Sequence, residues 1–375
     1  MANTLTSLLV TIMSRGLPAL RKACVMSRMV RTDFSMELSK VGKTIDLPVP
    51  SDLTVSDVTS TSTPLSPTAL TPETKQISLN KWKRVHFALD DQELTQIEYS
   101  QNFVPMQMEA AFKALGEQVN ADLMALYADV YGYVGTAATT PFATTVAAAT
   151  DARKALANQL APFSPRYGVL NPDGMANALA LAAFSNLQQT GDSGVIIEGL
   201  LGRKFGFDWA EDQQIPSHTA GTGASYLINN GGGYAAGIKT VTVDTGSGTI
   251  LVGDIVTFAG VTGTYVVTSA LSGNSFSFYP GLAGAVADNA AVTLKATHVS
   301  NLAFHRDAFA LCVRPLDDVA QKLIPSLQIV TMQDPLSGIP VRLEISRQNK
   351  QTLFDMDILY GVKTLRPEYA CRIAG

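Results

Sequence analysis

Between residues 105 and 131 the apolar side chains fall at Met108, Phe112, Leu115, Val119, Leu123, Leu126 and Val130. Steps of three and four residues place them on one face of an α-helix. The pattern predicts a helix from Pro105 to Tyr131. Its proline suits a first turn, where the missing N–H is no loss. Asn102 stands as a cap just outside, and Gly132 and Gly135 as stop signals. Such a helix would run roughly 40 Å at about 1.5 Å per residue, long for a globular protein. Glu109, Lys113, Glu117, Asn120, Asp122 and Asp129 interrupt it, so it does not read as a membrane span.

Elsewhere the period changes. Thr44 to Val49 and Ile77 to Phe87 alternate like strands. Between them Pro48, Pro50, Pro64, Pro67 and Pro72 punctuate a Ser/Thr-rich run that cannot be continuous helix or central strand. This predicts an extended hairpin with a long polar tip that must lie on something, a neighbouring chain included. Val146 to Leu160 reads as a second helix and Arg166 to Leu170 as a strand. Asn171-Pro172-Asp173 opens a helix carrying Met175, Leu179, Ala182 and Leu187, and Val195 to Trp209 reads as strand and turn. This alternation suggests a mixed α/β unit.

Residues 219–297 carry 14 of the 29 glycines and five charges, and short β-rich runs recur between glycine turns. They predict a small antiparallel barrel or sandwich set into that unit. Weak helical periodicity returns at Leu302 to Leu316. In the final stretch Val341, Leu343 and Ile345, then Phe354, Met356 and Ile358, alternate with polar residues, which predicts strands with one buried face.

Charge and composition alter this picture in one place. Over 375 residues the net charge is −4, which gives no global pull toward nucleic acid or membrane. Residues 1–45, however, hold Arg15, Arg21, Lys22, Arg28, Arg31, Lys40 and Lys43 against Asp33 and Glu37. The segment reads as a basic arm, either solvated or reaching an acidic partner or neighbouring subunit. Cys24, Cys312 and Cys371 form no disulfide framework and fit a reducing compartment. No signal peptide is evident and no apolar run reaches the roughly 18 residues of a membrane helix, so the expectation is a soluble, intracellularly made protein.

Motifs suggestive of catalysis do not assemble. Gly191-Asp192-Ser193-Gly194 lacks a preceding His and Asp on β-barrel loops. His305-Arg306-Asp307 lacks the other kinase elements. Gly194 to Gly199 has Leu200 where a phosphate-loop lysine belongs. His86, His218, His298 and His305 show no metal-ligand spacing. No cofactor, metal or catalytic residue is predicted.

Leu79-Asn80-Lys81-Trp82-Lys83-Arg84-Val85-His86-Phe87, followed by the helix beginning Phe103-Val104-Pro105, resembles the coat proteins of tailed bacteriophages. Asn301 to Phe309 resembles the segment where those chains re-enter their axial domain. Gly253 to Val261, with Tyr279-Pro280-Gly281-Leu282, resembles the β-barrel inserted in one subgroup. The order of segments matches over nearly the whole chain.

The resemblance implies an α+β fold of the Hong Kong ninety-seven type, divided as an N-terminal arm (1–45), extended loop (46–98), spine helix (99–135), axial domain (136–218 and 298–326), inserted barrel (219–297) and peripheral strands (327–375). It implies a non-enzymatic major capsid protein in the virion, assembled in the host cytoplasm. Its partners would be copies of itself in hexamers and pentamers, a scaffolding protein, a portal, and packaged double-stranded DNA bound non-specifically on the inner face, with no membrane. Trp82, Lys83 and Arg84, at the base of the extended loop, are the candidate subunit-interface residues, a plain surface strand being the alternative. A protein-cargo nanocompartment shell and a hydrolase with a β accessory domain are the competing functions.

Overall fold

A computed structural model describes residues 17–20, 23–32, 44–49, 73–92, 103–186, 197–316, 328–334 and 337–375. The tip at 50–72, most of the basic arm, Asn102 and the Gly191–Gly194 loop lie outside these residues.

The long helix, α1 (Phe103–Met124), forms where the apolar stripe places it. Met108, Phe112, Leu115, Val119 and Leu123 are all buried, at 0–2% exposure. Side chains of this size contribute roughly 1.5–3 kcal/mol each on burial. The α-helix stops seven residues short of the predicted end. Ala125–Asp129 tightens into a 3-10 turn and Val130 is extended. Other elements hold that turn: Thr364 Oγ1 donates to Asp129 Oδ2 at 2.6 Å and the Tyr127 hydroxyl lies 3.2 Å from His218 Nδ1.

The buried face of α1 packs on a five-stranded antiparallel sheet. Its strands are β3 (Lys81–Asp90), β16 (Phe309–Arg314), β17 (Gln328–Gln333), β18 (Pro340–Gln348) and β19 (Gln351–Thr364). The expected alternation is present: Val341, Leu343, Met356 and Ile358 are buried at 0–2%. Leu359 and Tyr360 pair with both β3 and β16, so these two strands flank β19 on opposite edges.

The second sheet has seven strands. β4 (Gly132–Gly135), β20 (Ala370–Ala374), β15 (His298–His305), β5 (Arg166–Leu170), β7 (Phe207–Glu211) and β6 (Arg203–Lys204) run in that order, and β8 (Ser217–His218) also pairs with β15. Helices α2 (Ala147–Asn158) and α3 (Pro172–Ala180) belong to this part of the chain. As anticipated, Asn171 caps α3, its side chain accepting from Gly174 N at 3.1 Å. The helix ends at Ala180, because Leu181 turns extended and a separate four-residue helix follows at Ala182–Ser185; Leu187 lies outside the described residues.

Six strands close into a barrel: β9 (Tyr226–Ile228), β10 (Thr240–Asp244), β11 (Ile255–Phe258), β12 (Tyr265–Ser272), β13 (Ser275–Tyr279) and β14 (Ala291–Leu294). Phe258, Tyr265, Phe276 and Phe278 fill its interior.

Several sequence expectations are corrected. Leu302 to Leu316 is not helical but forms parts of β15 and β16 around a 3-10 turn at Arg306–Ala308. β15 is covered on both faces, Leu302 and Phe304 toward one core and Ala303 toward another, so it shows no alternation for a period count to find. Three strands depart from the expected division of the chain. Phe309–Arg314 joins the five-stranded sheet, whereas Gly132–Gly135 and Ala370–Ala374 both join the seven-stranded one. These are pairings between distant residues, which local pattern does not encode.

In the hairpin, β1 (Thr44–Val49) pairs with β2 (Glu73–Ser78), but Leu79-Asn80 ends β2 and the chain re-enters as β3 in the other sheet. The hairpin base lies on its own subunit: Ile45, Ile77 and Leu79 pack with Ala310, Cys312 and Leu365. Gly361 permits this approach, since a Cβ there would stand 2.3 Å from the Ser78 carbonyl oxygen.

The described part of the basic arm is also intramolecular. Leu17, Leu20, Cys24, Met26 and Val30 are buried in the same core as α1. Buried Asn120 holds the segment, accepting from Met26 N at 3.0 Å while donating to Asp212 Oδ2 at 2.6 Å and Gln214 Oε1 at 3.0 Å. Asn120→Ala should therefore cost about 1–3 kcal/mol, because it strips partners from buried groups. Thermal unfolding of the full chain checks this, and an unchanged midpoint would show that the segment is held without Asn120.

Candidate assembly surface

The face of the five-stranded sheet turned away from α1 is covered by the hairpin base at Ala310 and Cys312 of β16 and is largely polar toward β3. On β3 the residues of this face are Trp82, Arg84 and His86; facing them on β19 are Leu359, Asp357 and Asp355. Arg342 sits beside Asp357 on β18. Asp357 is the hub. Arg342 donates from Nε to Oδ1 at 2.9 Å and from a terminal nitrogen to Oδ2 at 2.6 Å, and Trp82 Nε1 donates to Oδ2 at 2.8 Å. Arg84 reaches Asp355 at 3.5 Å. Burial pushes the Asp355 carboxyl up from its ordinary range, Arg84 pulls it down in part, and Asp357 adds to the rise. Its Oδ1 is buried without a hydrogen bond among the described residues.

The structure separates the three candidate residues. Trp82 and Arg84 share the polar face, and Trp82 is 63% exposed although its indole nitrogen is anchored. Lys83 pairs with Ile358 and so belongs to the opposite, helix-side face of the strand. Its neighbour Lys81 on that face bonds Asp122 of α1 at 2.8 Å. Burial works to raise Asp122, but the hydrogen bonds from Lys81 and Tyr360 outweigh it and hold the carboxyl below its ordinary range. A period of two gives this division directly.

A second exposed surface had no sequence signal. Leu160 and Phe163 are 86% and 70% exposed on one loop, Ile197 and Leu200 77% and 59% exposed on another. The two loops are tied together by Arg203, which donates to Ser164 Oγ at 3.4 Å. Arg166 stiffens the first, donating to the carbonyls of Ala161 and Pro162 at 2.6 and 2.7 Å beneath the Phe163 ring. Large apolar side chains held out in this way are characteristic of protein contact surfaces.

The four histidines do not assemble a metal site; among the described residues no group of three metal-capable side chains occurs. No helix among them is long and apolar enough to cross a membrane. His218 and His298 are nevertheless brought together, 5.4 Å between ring centres, which spacing alone did not suggest.

Comparison with known proteins identifies the family and the fold. A family described as "Phage capsid protein" matches residues 73–270, from the hairpin through α1 and into the barrel. A structure from Mycobacterium phage Che8 shares 12% identity at a TM-score of 0.52, covering 93% of this chain and 90% of its own. A structure described as the capsid of an empty GTA particle shares 9% identity at a TM-score of 0.50, covering 94% and 90%. At such identities the likeness is one of fold. No curated protein matches the sequence. The family match spans more than half the chain, and the helix, sheets and barrel lie in a capsid fold over nearly all of it; the chain belongs to the phage capsid protein family and is a major capsid protein, a structural subunit of a viral shell.

Proposed function

We propose that the subunit associates with copies of itself as hexamers and pentamers, through the Trp82–Arg84 face and the Leu160, Phe163, Ile197 and Leu200 loops. In this reading the subunit comprises a spine helix, an axial sheet, an inserted barrel at 219–297 and a peripheral sheet. The shell would assemble in the host cytoplasm on a scaffolding protein around a portal, then enclose double-stranded DNA held non-specifically, and the subunit would carry out no catalysis. The family match over residues 73–270 carries this reading. Exposed Trp82 supports it, since an anchored but solvated indole suits a contact that neighbouring copies complete.

Native mass measurement and negative-stain imaging of the purified full chain test it. Capsomers or closed shells are expected, and a small monodisperse oligomer under all assembly conditions would overturn it. Trp82→Ala combined with Arg84→Gln should lower the assembled fraction severalfold. The same change should cost the free subunit about 2 kcal/mol, the worth of one hydrogen bond to a carboxylate and one exposed ion pair. Unchanged assembly would remove this face from the interface.

A further inference from the structure

Where the barrel meets the seven-stranded sheet, the structure buries a cluster of charged and titratable side chains. His218 on β8 lies with Nε2 2.9 Å from Asp254 Oδ1, and Asp254 also accepts from the backbone nitrogens of Gly221 and Leu251. Arg372 on β20, fully buried, donates to the carbonyls of Gly253 at 2.9 Å and Ala128 at 3.3 Å, and its guanidinium covers the Tyr127 ring. His298, 2% exposed at the start of β15, packs edge-on against Tyr133 of β4 and tilted against His218. These contacts join barrel residues 253 and 254 to the end of the spine and to three strands of the sheet.

The protonation state of His298 follows from its bonds. Nδ1 lies 2.9 Å from the Ala296 carbonyl oxygen, so Nδ1 carries the proton in the neutral ring. Nε2 is buried and has no hydrogen-bond partner among the described residues. A second proton would go to Nε2, where no acceptor stands ready. It would put a positive charge beside Arg372 and His218. Tyr133 and His218 touch the ring, Arg372 and Asp254 act on it electrostatically, Tyr127 contacts His218 and Arg372, and Lys295 lies over the Tyr133 ring. The one carboxylate in this set, Asp254, is already engaged by three donors. Burial, with Arg372 and His218 adding to it, pushes His298 below the ordinary imidazole range, against the opposing bond to Ala296 and the opposing charge of Asp254. Burial also draws Arg372 down to about 10, which leaves it charged at neutral pH.

We propose that this junction is an acid-sensitive latch: protonation of His298 releases the barrel from the sheet beneath it while the spine core stays folded. The sign is fixed by linkage. The closed junction binds the proton less readily than the open one, whose His298 titrates near 6.5. Closure is therefore fully favoured above about pH 6.5 and weakens as the pH falls below it, by up to tenfold per pH unit for a single proton.

Hydrogen exchange on the full chain between pH 7.5 and 5, corrected for intrinsic rates, tests the proposal. The Gly221, Leu251 and Gly253 amides should open about tenfold or more at the acid end, with the α1 amides from Leu115 to Val119 unchanged. His298→Asn keeps a donor for the Ala296 carbonyl and cannot titrate, so its junction should open to the same extent at both pH values. A flat wild-type profile, or equal pH dependence in the variant, would overturn the proposal, as would α1 opening in parallel. Should the variant fail to fold, NMR titration of His298 in the wild type decides. A midpoint below 6.5 that moves with junction opening supports the latch; a midpoint at or above 6.5, or titration without opening, overturns it.

Discussion

Leu123→Asp is expected to abolish folding of the subunit, not merely its assembly. Leu123 is fully buried at the C-terminal end of the α1 stripe, in the core shared by the five-stranded sheet and the N-terminal segment. A carboxylate there would lose its hydration and gain no cation. Buried unpaired charges belong to the few mechanisms that exceed about 4 kcal/mol. That is a large share of the roughly 5–15 kcal/mol by which a folded domain is usually stable. Soluble yield and far-ultraviolet circular dichroism report the outcome. A soluble, helical monomer that fails only to form shells would mean that the stripe faces a neighbouring subunit.

Asp357→Ala is the second large effect. The carboxylate receives two bonds from Arg342 and one from Trp82, and the Asp357 and Arg342 side chains are only 7% and 15% exposed. Removing one member of a buried pair leaves the other charge uncompensated, at a cost of about 3–5 kcal/mol. Replacing both, as Arg342→Met with Asp357→Leu, should recover most of the loss, because an apolar pair of similar volume carries no desolvation penalty. Urea unfolding of the full chain measures both. A double variant as unstable as the single one would show that Arg342 contributes mainly by packing. Trp82 emission should also shift in the single variant as the indole loses its acceptor.

The elements legible in the sequence are those whose residues are neighbours along it. The α1 stripe, the Asn171 cap and the alternation of β18 and β19 repeat with the period of one element, and that period survives in the structure. The elements misread depend on partners far away. Ala370–Ala374 pairs with Ser300–Phe304, and nothing within Ala-Cys-Arg-Ile-Ala specifies that. The barrel junction was missed for the same reason: Arg372 reaches a carbonyl 119 residues away. Its one local sign was a charged residue inside an apolar strand, Arg372 in β20 and Asp254 just before β11, which stands out only when burial is known. At residues 82–84 the strand itself was legible, and its pairing with β19 assigns Lys83 to the opposite face from Trp82 and Arg84.

The chain enters and leaves the barrel through adjacent strands, His218 pairing with His298 and Ser217 with Val299. This makes the barrel a cassette. Cutting out the intervening residues and joining the two ends by a short turn would leave a β8–β15 hairpin in the seven-stranded sheet, with Arg372 and His218 needing replacement because they lose their Gly253 and Asp254 partners. Foreign peptides set into the barrel's Gly231–Gly233 turn, exposed at Gly231 and Gly232, would be carried once per subunit.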